Sequence, residues 1–233
     1  MSFLDTGAVP SQASLRLMSL DGVTRLSQCR RGTALFSAGD RGDSIYYLES
    51  GRVKILKRNR DGKEILLTIV SPGEVFGERA ALGEDPRDVS AEVLDDAVIY
   101  VVPRDSFLQF ASQAPETWRW LAGILARRNA GLERKIELLI FHEVEQRLMR
   151  SLKELAGVCG VMSESGECSI GLSQLELAGA IGSTRETTSS ALNLLRRRGL
   201  IRLHRRRVIV PSLAALAAAI ESGQAHSQSV GLA

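Results

Sequence analysis

Near Pro115 the punctuation of the chain changes, and that change limits what the chain can fold into. From about Gly32 to Pro103, short apolar runs alternate with turn signals: Ser-Ala-Gly-Asp (37 to 40), Glu-Ser-Gly (49 to 51), Arg-Asp-Gly (60 to 62) and Ser-Pro-Gly (71 to 73). That is the rhythm of antiparallel strands. Ile45 to Leu48, Val53 to Leu56, Ile65 to Val70 and Val98 to Val102 read as strands, and Asp61-Gly62 reads as a tight hairpin turn. About eight strands at this spacing form a roll or barrel. After Pro115 the rhythm turns helical. Strands followed by helices in a chain of 233 residues predict an α+β fold with more than one compact unit.

The first helical stretch runs to about Leu139 and carries a heptad. Trp118, Leu125, Leu132 and Leu139 recur every seven residues, and Ala122, Asn129 and Ile136 follow the first three of them by four. Such a seam predicts a two-stranded parallel coiled coil and therefore a homodimer. Asn129 within it would fix register, because only its in-register partner satisfies the amide. The alternative is an amphipathic helix packed on its own β domain.

A further helix, His142 to Ala156, precedes a loop at Gly160 to Gly166. Leu172 to Ile181 follows, with Ser173 as its cap; Gly182-Ser183-Thr184 breaks it, and Arg185 to Arg198 forms a second helix. Two short helices joined by a glycine-led turn have the grammar of a helix-turn-helix. Leu200 to Val210 then reads as a β-hairpin, a wing with arginines at its tip. Residues 185 to 211 hold eight arginines against one acid, Glu186, on a chain whose net charge is +3. Guanidinium groups at this density match phosphate oxygens and guanine edges, so duplex DNA is the expected partner; a merely solvated charged face is the alternative. The apolar residues of the second helix come late, which leaves its first turns free to enter a groove. Arg185 can donate to guanine N7 and O6 and Glu186 can accept from cytosine N4, while Ser183, Thr184, Thr188, Ser189 and Ser190 can reach base edges or phosphates. Arg205, Arg206 and Arg207 would hold the backbone.

Composition excludes other classes. The chain is 44% hydrophobic and 24% charged, and no apolar run approaches the roughly 20 residues that cross a bilayer. Met1 to Asp5 lack a secretory pattern, so a cytoplasmic location is expected. Cys29, Cys159 and Cys168 are too few and too scattered for an iron-sulfur cluster. No His precedes His142, so no haem is expected in the β region; His142 reads as a hinge residue, His204 falls in the wing and His226 in a polar tail.

Asp43-Ser44-Ile45-Tyr46-Tyr47-Leu48 with Gly51, Pro72 to Glu78, and Ile181-Gly182-Ser183-Thr184-Arg185-Glu186-Thr187 together resemble the cyclic-AMP-receptor and fumarate-nitrate-reductase regulator (CRP/FNR) family of bacterial transcription regulators. The resemblance covers about residues 30 to 220. The polar composition of 222–233 predicts a disordered tail, and the resemblance implies a double-stranded β-helix, jelly-roll-like sensor at 1–114, a dimerisation helix at 115–141 and a winged helix-turn-helix at 142–221. It also implies a pseudo-palindromic DNA site and RNA polymerase as a partner. Ser190 stands where cyclic-AMP-responsive members place a second base-reading arginine.

By the same resemblance the effector pocket would comprise Gly77, Glu78, Arg87, Asp88, Leu132 and Glu133. Cyclic-AMP binders hold the ribose with Gly-Glu and the phosphate with Arg-Ser; here Arg87 is followed by Asp88, which would set a negative charge against the phosphate. Leu132 and Glu133 replace the polar pair that contacts adenine, and an unpaired buried donor costs about 1 to 3 kcal/mol. The pocket is therefore poorly matched to cyclic AMP. A cyclic-nucleotide-binding regulatory module acting on a protein partner is the competing function. An enzyme is not expected, because no nucleophile-base pair or metal cluster accompanies Glu78 and Arg87.

Overall fold

The computed structural model describes residues 16–83 and 85–230, with side chains to residue 222. Expectations for residues 1–15 and 231–233, and for the side chain of His226, lie outside the described residues. Contacts divide the chain into two compact units, residues 1–62 with 66–132 and residues 63–65 with 133–233.

The first unit is built on six strands: β1 (Thr24–Cys29), β2 (Ala34–Phe36), β3 (Ser44–Arg58), β4 (Glu64–Val70), β5 (Val75–Phe76) and β6 (Ser90–Pro103). They run in the order β1-β6-β3-β4, with β2 on β6 and β5 on β3. Two helices follow, α1 (Arg104–Gln113) and α2 (Glu116–Phe141). The unbroken apolar run Ile45 to Leu48 is explained by strand geometry, in which successive side chains face opposite ways. Ile45 and Tyr47 join one buried cluster with Phe107, Leu121 and Ile124 of the helices, while Tyr46 and Leu48 join another inside the roll with Phe36, Val53, Phe76 and Ile99. Both faces of the strand are thus buried.

Among the described residues the roll has fewer strands than the turn signals predict, in part because Glu49-Ser50-Gly51 is not a turn. β3 passes straight through it, and the pairing with β6 slips between Ser50↔Val98 and Arg52↔Asp95. Gly51 makes that bulge possible: its φ is 85°, and a β-carbon there would lie 2.4 Å from the Asp96 carbonyl oxygen. At the other end of β3, Gly62 N–H donates to the Asn59 carbonyl, closing the expected turn.

In the second unit α3 (Val144–Cys159) leads into β7 (Gly160–Met162) and β8 (Cys168–Ile170), then α4 (Gln174–Ile181) and α5 (Arg185–Arg197), then β9 (Arg202–His204) and β10 (Arg207–Val210), and finally α6 (Leu213–Val230). The loop expected from Gly160 thus begins as a strand, turning only at Ser163 to Gly166, where the Gly166 N–H donates to the Ser163 carbonyl. The four strands form one antiparallel sheet in the order β7-β8-β10-β9. α6 carries helical backbone to Val230, through most of the segment read as a disordered tail.

Candidate functional site

The helix-turn-helix is assembled by local hydrogen bonds that its own sequence dictates. Ser173 caps α4 by accepting from Glu176 N–H, and the Glu176 carboxylate accepts from Ser173 N–H, a reciprocal capping box. Gly182 ends the helix in the left-handed conformation, φ 61° and ψ 45°. Thr184 then caps α5 by accepting from Thr187 N–H. Buried Ala191, Leu192 and Leu195 seat α5 on its unit. Its opposite side carries exposed Arg185, Glu186, Ser190 and Arg197, half-buried Ser189 and Asn193, with exposed Thr184 and half-buried Ser183 at its start. Glu186, Ser190, Asn193 and Arg197 follow one another at helical spacing and form one polar stripe.

Thr188 departs from expectation. It is wholly buried, and its hydroxyl donates to the Thr184 carbonyl over 2.8 Å. A side chain turned into the core cannot reach a base edge. Asn193 and Arg197 are stripe residues that the sequence reading overlooked; the signal was available in the four-three-four spacing from Glu186.

The wing places Arg205 and Arg206 in a two-residue turn between His204 and Arg207, which pair. All three arginines are exposed, and Arg205 holds a left-handed φ of 52°. Among the described residues two of the eight arginines are matched: Arg198 bonds Glu145, and Arg202 bonds Glu167 at 2.6 Å. The sequence charge of 185–211 therefore overstates the cationic surface, because those acids lie outside that stretch.

On α2, six of the seven seam positions are exposed; only Leu125 is half-buried, while Thr117, Leu121 and Ile124 are buried. Trp118 is 36% exposed and Ile136 56%.

A cavity of about 380 Å³ opens in the first unit. Of the six expected pocket residues it is lined by Gly77, Glu78, Arg87 and Leu132, and not by Asp88 or Glu133. Asp88 is turned away because two cations hold its carboxylate, Arg79 at 2.5 Å and Lys57 at 3.2 Å. Glu133 is exposed. Gly77 leaves room for Arg87, since a β-carbon there would lie 3.0 Å from Arg87 Nη1. Arg87 is 3% exposed, donates to the carbonyls of Ser44 and Gly77, and stacks on Phe36 with its guanidinium carbon 4.1 Å from the ring centroid. Arg128, which the sequence reading did not include, donates to Glu78 Oε2 over 3.1 Å and to the Val75 carbonyl over 2.5 Å. Apolar Phe36, Ile55, Leu67, Phe76, Val89 and Leu125 and polar Thr68, Arg79 and Asn129 complete the wall.

All three cysteines are buried free thiols, and burial pushes those of Cys29 and Cys168 above the ordinary thiol value. Burial, aided by the Arg150 charge, holds His142 below the ordinary imidazole value. Among the described residues no group of His, Cys, Asp and Glu could hold a metal ion, and no helix is long and apolar enough to cross a membrane.

Residues 26–114 match the cyclic nucleotide-binding domain, and residues 146–219 match the Crp-like helix-turn-helix domain. A CRP-like cAMP-activated global transcriptional regulator of Mycobacterium tuberculosis (strain ATCC 25618 / H37Rv) is 35% identical over 77% of this chain and 81% of its own length. The chain belongs to the CRP/FNR family. Its CRP/FNR relatives include the cyclic AMP receptor protein of Thermus thermophilus, 32% identical over 74% of this chain and 77% of that protein. Among solved CRP/FNR structures, the c-di-GMP responsive global regulator CLP of Xanthomonas campestris aligns with a TM-score of 0.76 at 25% identity, over 86% of this chain and 98% of that one. A CRP-family transcriptional regulator from Thermus thermophilus aligns at 0.72 and 31%, over 83% and 94%. The protein is a transcription regulator with a helix-turn-helix DNA-binding domain, joined to a cyclic-nucleotide-binding-type β domain.

Proposed function

We propose that the protein acts in the cytoplasm as a homodimer, paired through α2, that reads a pseudo-palindromic duplex and meets RNA polymerase there. The observation that carries this reading is the two-sidedness of α2. Thr117, Leu121 and Ile124 are spent on the chain's own core, and the heptad positions Trp118, Leu132, Ile136 and Leu139 remain exposed. Apolar residues recurring at that period on an exposed face suit a second copy of the same helix.

Pairing places two recognition helices about one helical turn of DNA apart, roughly 34 Å. Arg185 and Glu186 then address base edges, Ser183, Thr184, Ser189 and Ser190 flank them, and Arg205, Arg206 and Arg207 meet phosphates. The enclosed guanidinium of Arg87 supports an anionic effector in the sensor cavity, whose occupancy biases the dimer between DNA-binding states. With Asp88 drawn off by Arg79 and Lys57, the electrostatic objection to a cyclic phosphate loses force, while Leu132 still offers nothing to a base's amino group.

The test combines sedimentation with site selection. Ile136→Asp, a seam residue outside the core, is expected to yield monomers with sharply weakened duplex binding. Arg185→Ala is expected to relax base choice at one position, and Arg206→Ala to weaken all duplexes alike with a flatter salt slope. A dimeric Ile136→Asp, or unchanged specificity in Arg185→Ala, overturns the reading.

A further inference from the structure

Among the described residues three guanidinium groups line the sensor cavity, and they are not equivalent. Arg128 is matched to Glu78, and Arg79 is matched to Asp88. Arg87 has no carboxylate of the described residues within ion-pair distance. Only the Ser44 and Gly77 carbonyls and the rings of Phe36 and Tyr46 compensate it, and its Nε has no hydrogen-bond partner among them. A buried cation without a counter-charge is costly, and an anion entering the cavity relieves that cost. Apart from Glu78, Thr68 and Asn129, the rest of the wall is mostly aliphatic and aromatic, which suits a ligand with an apolar body.

We propose that Asp88 is a specificity residue: by withholding Arg79 from the cavity it leaves one uncompensated guanidinium, so the sensor takes an organic monoanion with an apolar body and rejects dianions. This rests on the reading of the cavity as the effector site. Arg79 reaches the cavity wall but its guanidinium is engaged by Asp88, so a second negative charge on a ligand finds no second free cation. Lys57, on the other oxygen of Asp88, steadies the carboxylate in that orientation. A cyclic phosphodiester and a carboxylate both satisfy the single-charge rule, and the ligand panel separates them.

The experiment is calorimetric titration at pH 7.5 of the full chain and its variants with cyclic AMP, phenylacetate and 5′-AMP. The last carries the same base and sugar as the first but a phosphate whose second pKa is about 6, so it is mainly a dianion. The wild type is expected to bind cyclic AMP or phenylacetate and to bind 5′-AMP at least tenfold more weakly than the better of them. Asp88→Asn is expected to raise affinity for 5′-AMP at least tenfold, and Arg79→Gln added to it to abolish that gain. Thermal melting confirms that each variant is folded. A wild type that binds 5′-AMP as well as the monoanions, or that binds neither monoanion, overturns the proposal, as does an Asp88→Asn variant with unchanged 5′-AMP affinity. Arg87→Gln separates the two levels: undiminished monoanion binding there would place the ligand outside the cavity and remove the sensor reading itself, whereas an inert Asp88→Asn removes only the specificity rule.

Discussion

Leu139 packs directly over Gly182, so that a β-carbon on Gly182 would lie 2.6 Å from Leu139 Cδ2. Gly182 is also the left-handed residue between the two helices of the DNA-reading motif. The leucine methyl can swing aside, so the backbone sets most of the cost of substitution. Gly182→Ala is expected to destabilise the second unit by about 1–2 kcal/mol. Gly182→Asn is expected to cost less, because asparagine tolerates this conformation. Urea denaturation of the three proteins checks the ranking.

Gly51 gives the opposite case. Its missing β-carbon would meet the Asp96 carbonyl at 2.4 Å and the Ala97 α-carbon at 2.6 Å, and neither belongs to a flexible side chain. Gly51→Ala combines the left-handed penalty with overpacking against a paired strand, for an expected loss of about 2–5 kcal/mol. A melting transition of the β roll lowered by less than that of Gly182→Ala in its own unit would contradict the bulge.

Thr188 and Ser190 stand two residues apart on α5 in opposite surroundings, the first buried and the second exposed. Thr188→Val removes the hydroxyl bonded to the Thr184 carbonyl and is expected to cost about 1 kcal/mol of stability while leaving base preference unchanged. Ser190→Arg, on the exposed stripe, is expected to change the preferred base at one position without loss of stability. Site selection from random duplex DNA distinguishes them; a shifted site for Thr188→Val would mean that the residue faces the groove.

Lys135 predicts a pH dependence. Burial lowers its pKa from 10.5 to about 8, against the opposing charge of Glu154, and its ammonium donates to the Gly179 carbonyl near the end of α4 over 3.3 Å. Between pH 8 and 10.5 the unfolded chain binds more protons at this site than the folded one, so this group's contribution to stability rises with pH across that window. The rise is about 3 kcal/mol when complete. Lys135→Met is expected to abolish it, so wild type should gain on the variant as denaturation is repeated from pH 7.5 to 10. A constant difference would refute the burial of the ammonium.

Much of the second unit was legible because its signals are local. The Ser173 cap with Glu176 three residues on, the Gly182 break and the two-residue wing turn each lie within a few residues of the groups they satisfy. The roll was legible in kind but not in count, since Glu49-Ser50-Gly51 has a turn's composition while its conformation is set by β6, far along the chain. The same distinction governs the sites. Thr188 looked polar and available because composition does not report which side of a helix turns inward, although Ala191, Leu192 and Leu195 mark that side. Asp88 looked aimed at the ligand because nothing in its neighbourhood announces Lys57. Arg128 went unnamed because its partner, Glu78, is brought to it only by the folded roll.

The long ribbons β3 and β6 also bear on the order of assembly. They join residues as distant in sequence as Ser44 and Pro103, whereas the helix-turn-helix closes through neighbours such as Ser173 with Glu176 and Thr184 with Thr187. Loop-closure entropy slows the first kind of pairing and spares the second. When the whole chain refolds from denaturant, the helix-turn-helix is therefore expected to mature first, while the roll, still gathering its distant partners, is the part that depends on time and protection from aggregation.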